Sequence, residues 1–212
     1  MNDRAKISLS PTEMGLVTRG DWILTKREIL DKVAAMLGIV SDSYKKILLE
    51  EKEIIHHLNI NTRGKISKGE NYLGLPYMIL DQPATFNSNE IFAIRSMFWW
   101  GNFFSITLHI AGKNFLSKID LTKFSALLQR NKFMLCVNTD QWHHHFKEDN
   151  YISFADGADN ESFNPWKKNF LKIARKYPVE EWDSIPAYLQ EDFINLIGML
   201  KSVLKKDQFP SL

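Results

Sequence analysis

The residues best suited by type to do chemistry are three adjacent histidines, in Asp140-Gln141-Trp142-His143-His144-His145-Phe146. Imidazole binds zinc and iron and carries protons near neutral pH. Neighbouring residues cannot all reach one ion from a regular element. In a strand His143 and His145 share a face and His144 opposes them; in a helix neighbours stand about 100° apart. A metal centre would therefore use His143 and His145 with an outside ligand, for which His109, Asp140, Asp156 and Asp159 have the right chemistry. The candidate set is His109, His143 and His145, and a divalent metal is the one cofactor it would hold. The run lacks the spacing of H-E-x-x-H, and a polar turn anchored by Trp142 is the simpler reading.

Other reactive types have plainer accounts. Cys136 is the one cysteine and lies in the apolar run FMLCV, which reads as a buried small hydrophobe. His56-His57 falls at a helix end, where a cation suits the dipole. Asp156-Gly157-Ala158-Asp159 has calcium-loop composition without EF-hand spacing. No P-loop, dinucleotide fingerprint, nucleophile elbow or CxxC is present.

The second chemical candidate is the stretch Ile91–Ala111, IFAIRSMFWWGNFFSITLHIA. It is long enough to span a bilayer, which takes about 20 residues. Arg95, Asn102 and His109 spread polarity through it, and aromatic and β-branched residues dominate. It reads as a β-hairpin with a two-residue turn at Gly101-Asn102. That turn predicts pairs of Trp100 with Phe103, Trp99 with Phe104 and Arg95 with Leu108.

One face would then carry Ile91, Ala93, Arg95, Met97 and Trp99 with Phe104, Ile106, Leu108 and Ile110. It is apolar except for Arg95, which needs a carboxylate if buried; Glu90, Asp81 and Asp120 are candidates. The other face would carry Phe98, Trp100 and Phe103 with Ser96, Ser105, Thr107 and His109, the mixture of aromatic walls and placed polar groups typical of ligand pockets. Candidate ligand-binding residues are Arg95, Phe98, Trp100, Phe103, Thr107 and His109. A one-residue slip would exchange the faces.

These residues need a scaffold. Ser10-Pro11-Thr12-Glu13 is a capping box, and Thr25-Lys26-Arg27-Glu28 reads as a second one before Ile29, Leu30, Val33 and Leu37. Gly38 reads as a stop, with a further helix over 42–57. Residues 61–71 read as a loop. Leu75–Leu80 reads as a strand ended by Asp81-Gln82-Pro83, and further strands are predicted over 132–137 and 151–154. Residues 121–130 read as helical. Asn164-Pro165 opens a predicted helix bearing Trp166, Phe170, Ile173 and Tyr177, closed by Pro178. The last helix starts near Ser184-Ile185-Pro186. It carries Leu189, Phe193, Leu196, Leu200 and Val203, with Glu191 and Asp192 early and Lys201, Lys205 and Lys206 late.

The expectation is an α+β domain over residues 1–212, with a helical part at 1–60, a sheet-forming middle at 72–155 and C-terminal helices at 164–206. A central antiparallel sheet of 4–5 strands would be built around the 91–111 hairpin.

A net charge of +2 and pI near 8.5 argue against nucleic acid. The N-terminus has no apolar run after its charges, and one cysteine allows no internal disulfide, so a reducing cytoplasm is expected. The leading functional expectation is a binding or interaction protein whose aromatic sheet face takes a small apolar molecule or a partner helix. The alternative is a metal-dependent enzyme at the histidine cluster. Convergence of Arg95, His109 and His143–His145 on one cavity would favour the enzyme.

Overall fold

The structure, a computed structural model, describes residues 7–153 and 168–205. Phe154, Asp156, Asp159, Glu161, Asn164-Pro165, Trp166 and Lys206 lie outside the described residues. Helix α1 spans Pro11–Val17 and begins with the capping box: Ser10 accepts from the Glu13 N–H, and Glu13 accepts from the Ser10 N–H. Helix α2 spans Asp21–Glu50, without a start at Thr25 or a stop at Gly38. Gly38 has open space where a side chain would be, and a lone interior glycine costs about 1 kcal/mol, which a long packed helix absorbs. Val33, Leu37, Val40, Tyr44 and Leu48 form its buried stripe at spacings of three and four. Helix α3 spans Lys52–Leu58 and closes on Asn59 in the left-handed region (φ 52°).

The sheet has seven strands, more than the expected 4–5. They are β1 (Lys65–Tyr72), β2 (Leu75–Phe86), β3 (Ile91–Trp99), β4 (Phe103–Ala111), β5 (Met134–Cys136), β6 (Tyr151–Ser153) and β7 (Phe170–Pro178). Their order is β1-β2-β3-β4-β7-β5-β6, and all pairings are antiparallel. The fold is α+β, with N- and C-terminal helices packed on an antiparallel sheet. Short helices α4 (Lys113–Ser117) and α5 (Leu121–Arg130) follow β4. A 3-10 turn over Val179–Ser184 leads into α6 (Ile185–Val203).

Three strand assignments correct the sequence expectation. Residues 65–72 form β1 rather than a loop, because the long β2 offers them a free edge. β2 continues through Gln82-Pro83 to Phe86, with a register shift between Asp81 and Ala84 that absorbs the proline. Residues 170–178 form a strand, not a helix. Phe170, Ile173 and Tyr177 fit a helical stripe, but Leu171, Ile173, Arg175 and Tyr177 also alternate, and nine residue pairs with β4 decide the outcome.

The main core lies between the sheet and the helices. Leu80, Phe92, Ile94, Phe98, Phe104, Ile106, Leu108 and Ile110 face Leu37, Tyr44, Phe193 and Leu196. Tyr44 stacks on Phe193 with centroids 3.7 Å apart, and its hydroxyl bonds Ser96 Oγ at 2.9 Å and the Leu189 carbonyl at 3.1 Å. Helix α6 docks on the sheet with Leu189, Phe193, Leu196, Leu200 and Val203 all buried, as its seam predicts. Asp192 is buried rather than a dipole partner: it accepts from Arg175 at 2.5 Å and from the Tyr177 hydroxyl, fixing α6 to β7. Among the described residues no helix is long and apolar enough to cross a membrane.

Candidate functional site

The hairpin register differs from the expectation by one residue. Trp99 pairs with Phe103, Phe98 with Phe104 and Arg95 with Thr107. The Asn102 N–H donates to the Trp99 carbonyl at 3.0 Å, so Trp100 and Gly101 are the central turn residues. Gly101 takes φ 68° at the second central position, which suits a type II turn rather than II′. The slip re-sorts the candidate residues. Phe98 faces the helices and packs against Phe104 and Trp182. Trp100 lies in the turn, half-buried. Arg95, Phe103, Thr107 and His109 share the opposite face with Asp81 and Lys172, which pair alongside them.

That face is covered by the chain itself. Residues 137–150, linking β5 to β6, cross it as a strap. Phe146 is its apolar plug, stacked on Tyr151 at 4.6 Å and edge-on to Phe103 at 5.0 Å. Asx turns shape the strap: Asn138 Oδ1 accepts from Asp140 N, and Asp140 Oδ1 from Trp142 N. The Tyr72 hydroxyl accepts from the His144 and His145 N–H groups at 2.6 and 3.2 Å.

Beneath the strap runs a buried polar band between two apolar clusters. Arg95 pairs with Asp81 through two bonds, 2.7 and 2.9 Å, so Asp81 is its partner among the three candidate carboxylates. The other two cap helices: Glu90 accepts from the N–H groups of Asn114 and Phe115, and Asp120 from that of Lys123. The remaining Arg95 arm reaches His144 Nε2 at 3.1 Å. A guanidinium can only donate, so this nitrogen is the acceptor and His144 is neutral. Burial, then the charges of Lys172 and Arg95, hold its pKa well below the usual value. His109 is likewise neutral, lowered to about 3 by burial first and Lys172 second, and its Nε2 bonds Gln141 Oε1 at 2.9 Å.

Lys172 is the residue that sequence reasoning missed, because 164–177 read as a helix. It is 1% exposed. Its ammonium donates to the carbonyls of Gln141 at 2.9 Å and His143 at 2.5 Å and lies over the Tyr151 ring. Burial lowers its pKa to about 8. The legible signal was the alternation of Leu171, Ile173 and Arg175 against Phe170, Lys172 and Ala174.

Arg95, His109 and His144 therefore converge on one face, where Arg95 is held by Asp81 and bonds His144, and His109 bonds Gln141. His143 and His145 are apart from this group: His143 is partly exposed and His145 is buried beside it. His143 Nε2 is 3.4 Å from Asp140 Oδ2, and His145 Nδ1 is 3.8 Å from Asp149 Oδ1. Among the described residues no group of three or more His, Cys, Asp or Glu is placed to hold a metal ion, so His109, His143 and His145 are not assembled as ligands.

At the margin of the strap the polar band reaches a cleft of about 360 Å³. Phe86 (44% exposed) and Trp142 (49% exposed) are on its walls, and Ile91, Ala111 and Phe170 supply an apolar floor. Asn87, Asn89, Gln141 and Asn169 line it with amides, and Lys168 with a cation. The Trp142 ring lies edge-on to His109 at 5.7 Å, and Gln141 bonds the same imidazole. Comparison with known protein families, curated proteins and solved structures finds no match for the chain.

Proposed function

We propose that the protein is a small-molecule binding protein whose ligand enters the Trp142 cleft. The observation that supports this is that two half-exposed aromatic rings, Phe86 and Trp142, line one cleft together with the amide residues Asn87, Asn89, Gln141 and Asn169. Rings of this size are mostly buried on average, and ligand sites combine aromatic walls with a few polar groups. The volume suits a small molecule with one flat apolar face and a hydrogen-bonding edge, and is small for a helix about 10 Å across. The buried band beneath acts as a positioning layer. Lys172 and His109 hold the cleft wall through Gln141, and Arg95 contacts the strap at His144.

The test is a thermal-shift panel of N-acetylglucosamine, adenine, indole and phenylalanine on the wild type and on Trp142→Ala. A concentration-dependent rise in the wild type that Trp142→Ala abolishes supports the reading. A rise that survives the substitution, or no rise with any probe, overturns it.

A further inference from the structure

A second cleft, of about 710 Å³, lies on the helix-bearing side of the sheet, beside the end of α2. One wall is a helical stripe: Ser41, Lys45, Leu48 and Lys52 recur at spacings of four, three and four, across the junction of α2 and α3. The other wall is the 59–64 loop. Asn59 reverses the chain in the left-handed region, and the Ile60 N–H returns to the Ile55 carbonyl at 3.3 Å.

The cleft is pre-formed. Gln82, 2% exposed, accepts from Ser41 Oγ at 2.6 Å and donates to the Thr62 carbonyl at 3.2 Å. The Ala84 N–H donates to the Asn61 carbonyl, and Thr85 Oγ1 accepts from the Asn61 N–H. Gly64 fits where a Cβ would stand 2.5 Å from Gln82 Oε1 and 2.7 Å from Ser41 Oγ. The loop is thus fastened to β2 and, through Gln82, to α2, so the backbone of the cleft is in place before a ligand arrives.

Charge sets the ligand class. Lys45, Lys52 and Arg63 line the cleft, with Asp42 the one carboxylate in its lining. Among the described residues these three cations have no ion-pair partner, whereas the part-buried Lys26 and the exposed Lys201 each have one. Glu51, beside Lys52, is turned to Lys201 at 2.9 Å. Leu48, Leu49, Ile55 and Ile60 add an apolar surface. Three unneutralised cations over an apolar wall match an organic phosphate: phosphoryl oxygens to the cations, a flat ring to the leucines. We infer that this cleft binds a phosphorylated molecule of nucleotide size, independently of the Trp142 cleft.

The experiment is a fluorescence titration of the full chain with trinitrophenyl-ATP, with ATP, pyrophosphate and adenosine as competitors. The expected order is ATP strongest, with adenosine weaker by about tenfold or more for want of phosphates. Lys45→Glu/Lys52→Glu should weaken the probe by a similar factor without changing the circular dichroism spectrum, since both side chains are exposed. Arg63→Gln should weaken it less, and Trp142→Ala should leave it unchanged. Adenosine competing as well as ATP, pyrophosphate matching ATP, or full binding by the doubly reversed variant would each overturn the inference. Loss of probe binding in Trp142→Ala would instead mean that the probe occupies the other cleft, and would also overturn it.

Discussion

Replacing Asp81 with alanine leaves Arg95 charged, buried and without its carboxylate. The pair is held by two bonds, 2.7 and 2.9 Å, with side-chain exposures of 14% for Arg95 and 10% for Asp81. Removing one partner of such a pair costs about 3–5 kcal/mol, because the remaining charge keeps its desolvation penalty and loses its compensation. The His144 contact gives no relief, since a neutral imidazole does not balance the charge. For a domain of this size each kcal/mol lowers the melting temperature by roughly 2–4 °C, so a fall of roughly 6–20 °C is expected. The assay is urea denaturation of wild type, Asp81→Ala, Arg95→Met and the double variant. The double variant should recover more than half of the Asp81→Ala loss, since it removes the orphaned charge. A loss below about 1 kcal/mol in Asp81→Ala, or no recovery in the double variant, would refute the claim that Arg95 needs Asp81 as its counter-charge.

Further predictions concern the groups around this pair. Lys172 has its pKa lowered in the folded state, so between about 8 and its higher unfolded value the unfolded chain binds more protons and stability rises with pH. Urea midpoints from pH 8 to 10 should show this rise, on the order of 3 kcal/mol in full, and Lys172→Met should lack it. His109, lowered to about 3, contributes stability that is present above the unfolded value near 6.5 and lost as pH falls toward 3. Its imidazole proton signals should therefore not titrate between pH 5 and 8 by NMR. Phe193→Ala removes a fully buried ring stacked on Tyr44 and should cost about 3–5 kcal/mol in denaturant titrations. Trp142→Ala, at a half-exposed position, should change the unfolding midpoint by no more than about 0.5 kcal/mol.

The helices and the α+β class were readable where local chemistry agrees with packing. The Ser10 cap, the apolar stripe of α2 and the seam of α6 each follow from spacing alone. The rest depended on distant partners. Phe170–Pro178 carries both a helical and an alternating pattern, and β4's need for a neighbour chose between them. Gly38 looks like a stop until the residues on either side of it are seen to pack on one sheet. The turn at Gly101 shows how small the ambiguity can be. Placing the glycine second rather than first among the central residues moves Phe98 into the helix-side core and brings Thr107 and His109 beside Arg95. The need of Arg95 for a carboxylate was legible, and Asp81 was among its three candidates, but only the β2–β3 register selects it. The strap could not be foreseen, because its main anchor, Lys172, lies on a strand that reads as a helix.

The cleft walled by Phe86 and Trp142 is proposed as a binding site, with the band beneath it holding the strap in place. The most direct measurement follows the indole N–H resonances of uniformly 15N-labelled protein as N-acetylglucosamine, adenine, indole and phenylalanine are added in turn. The Trp142 signal is assigned by its absence in Trp142→Phe. At least one probe should move the Trp142 signal saturably, while the signals of the buried Trp99 and the part-buried Trp182 stay fixed. If no probe moves it, or if the moving signals belong to Trp99 or Trp182, the cleft is not the site.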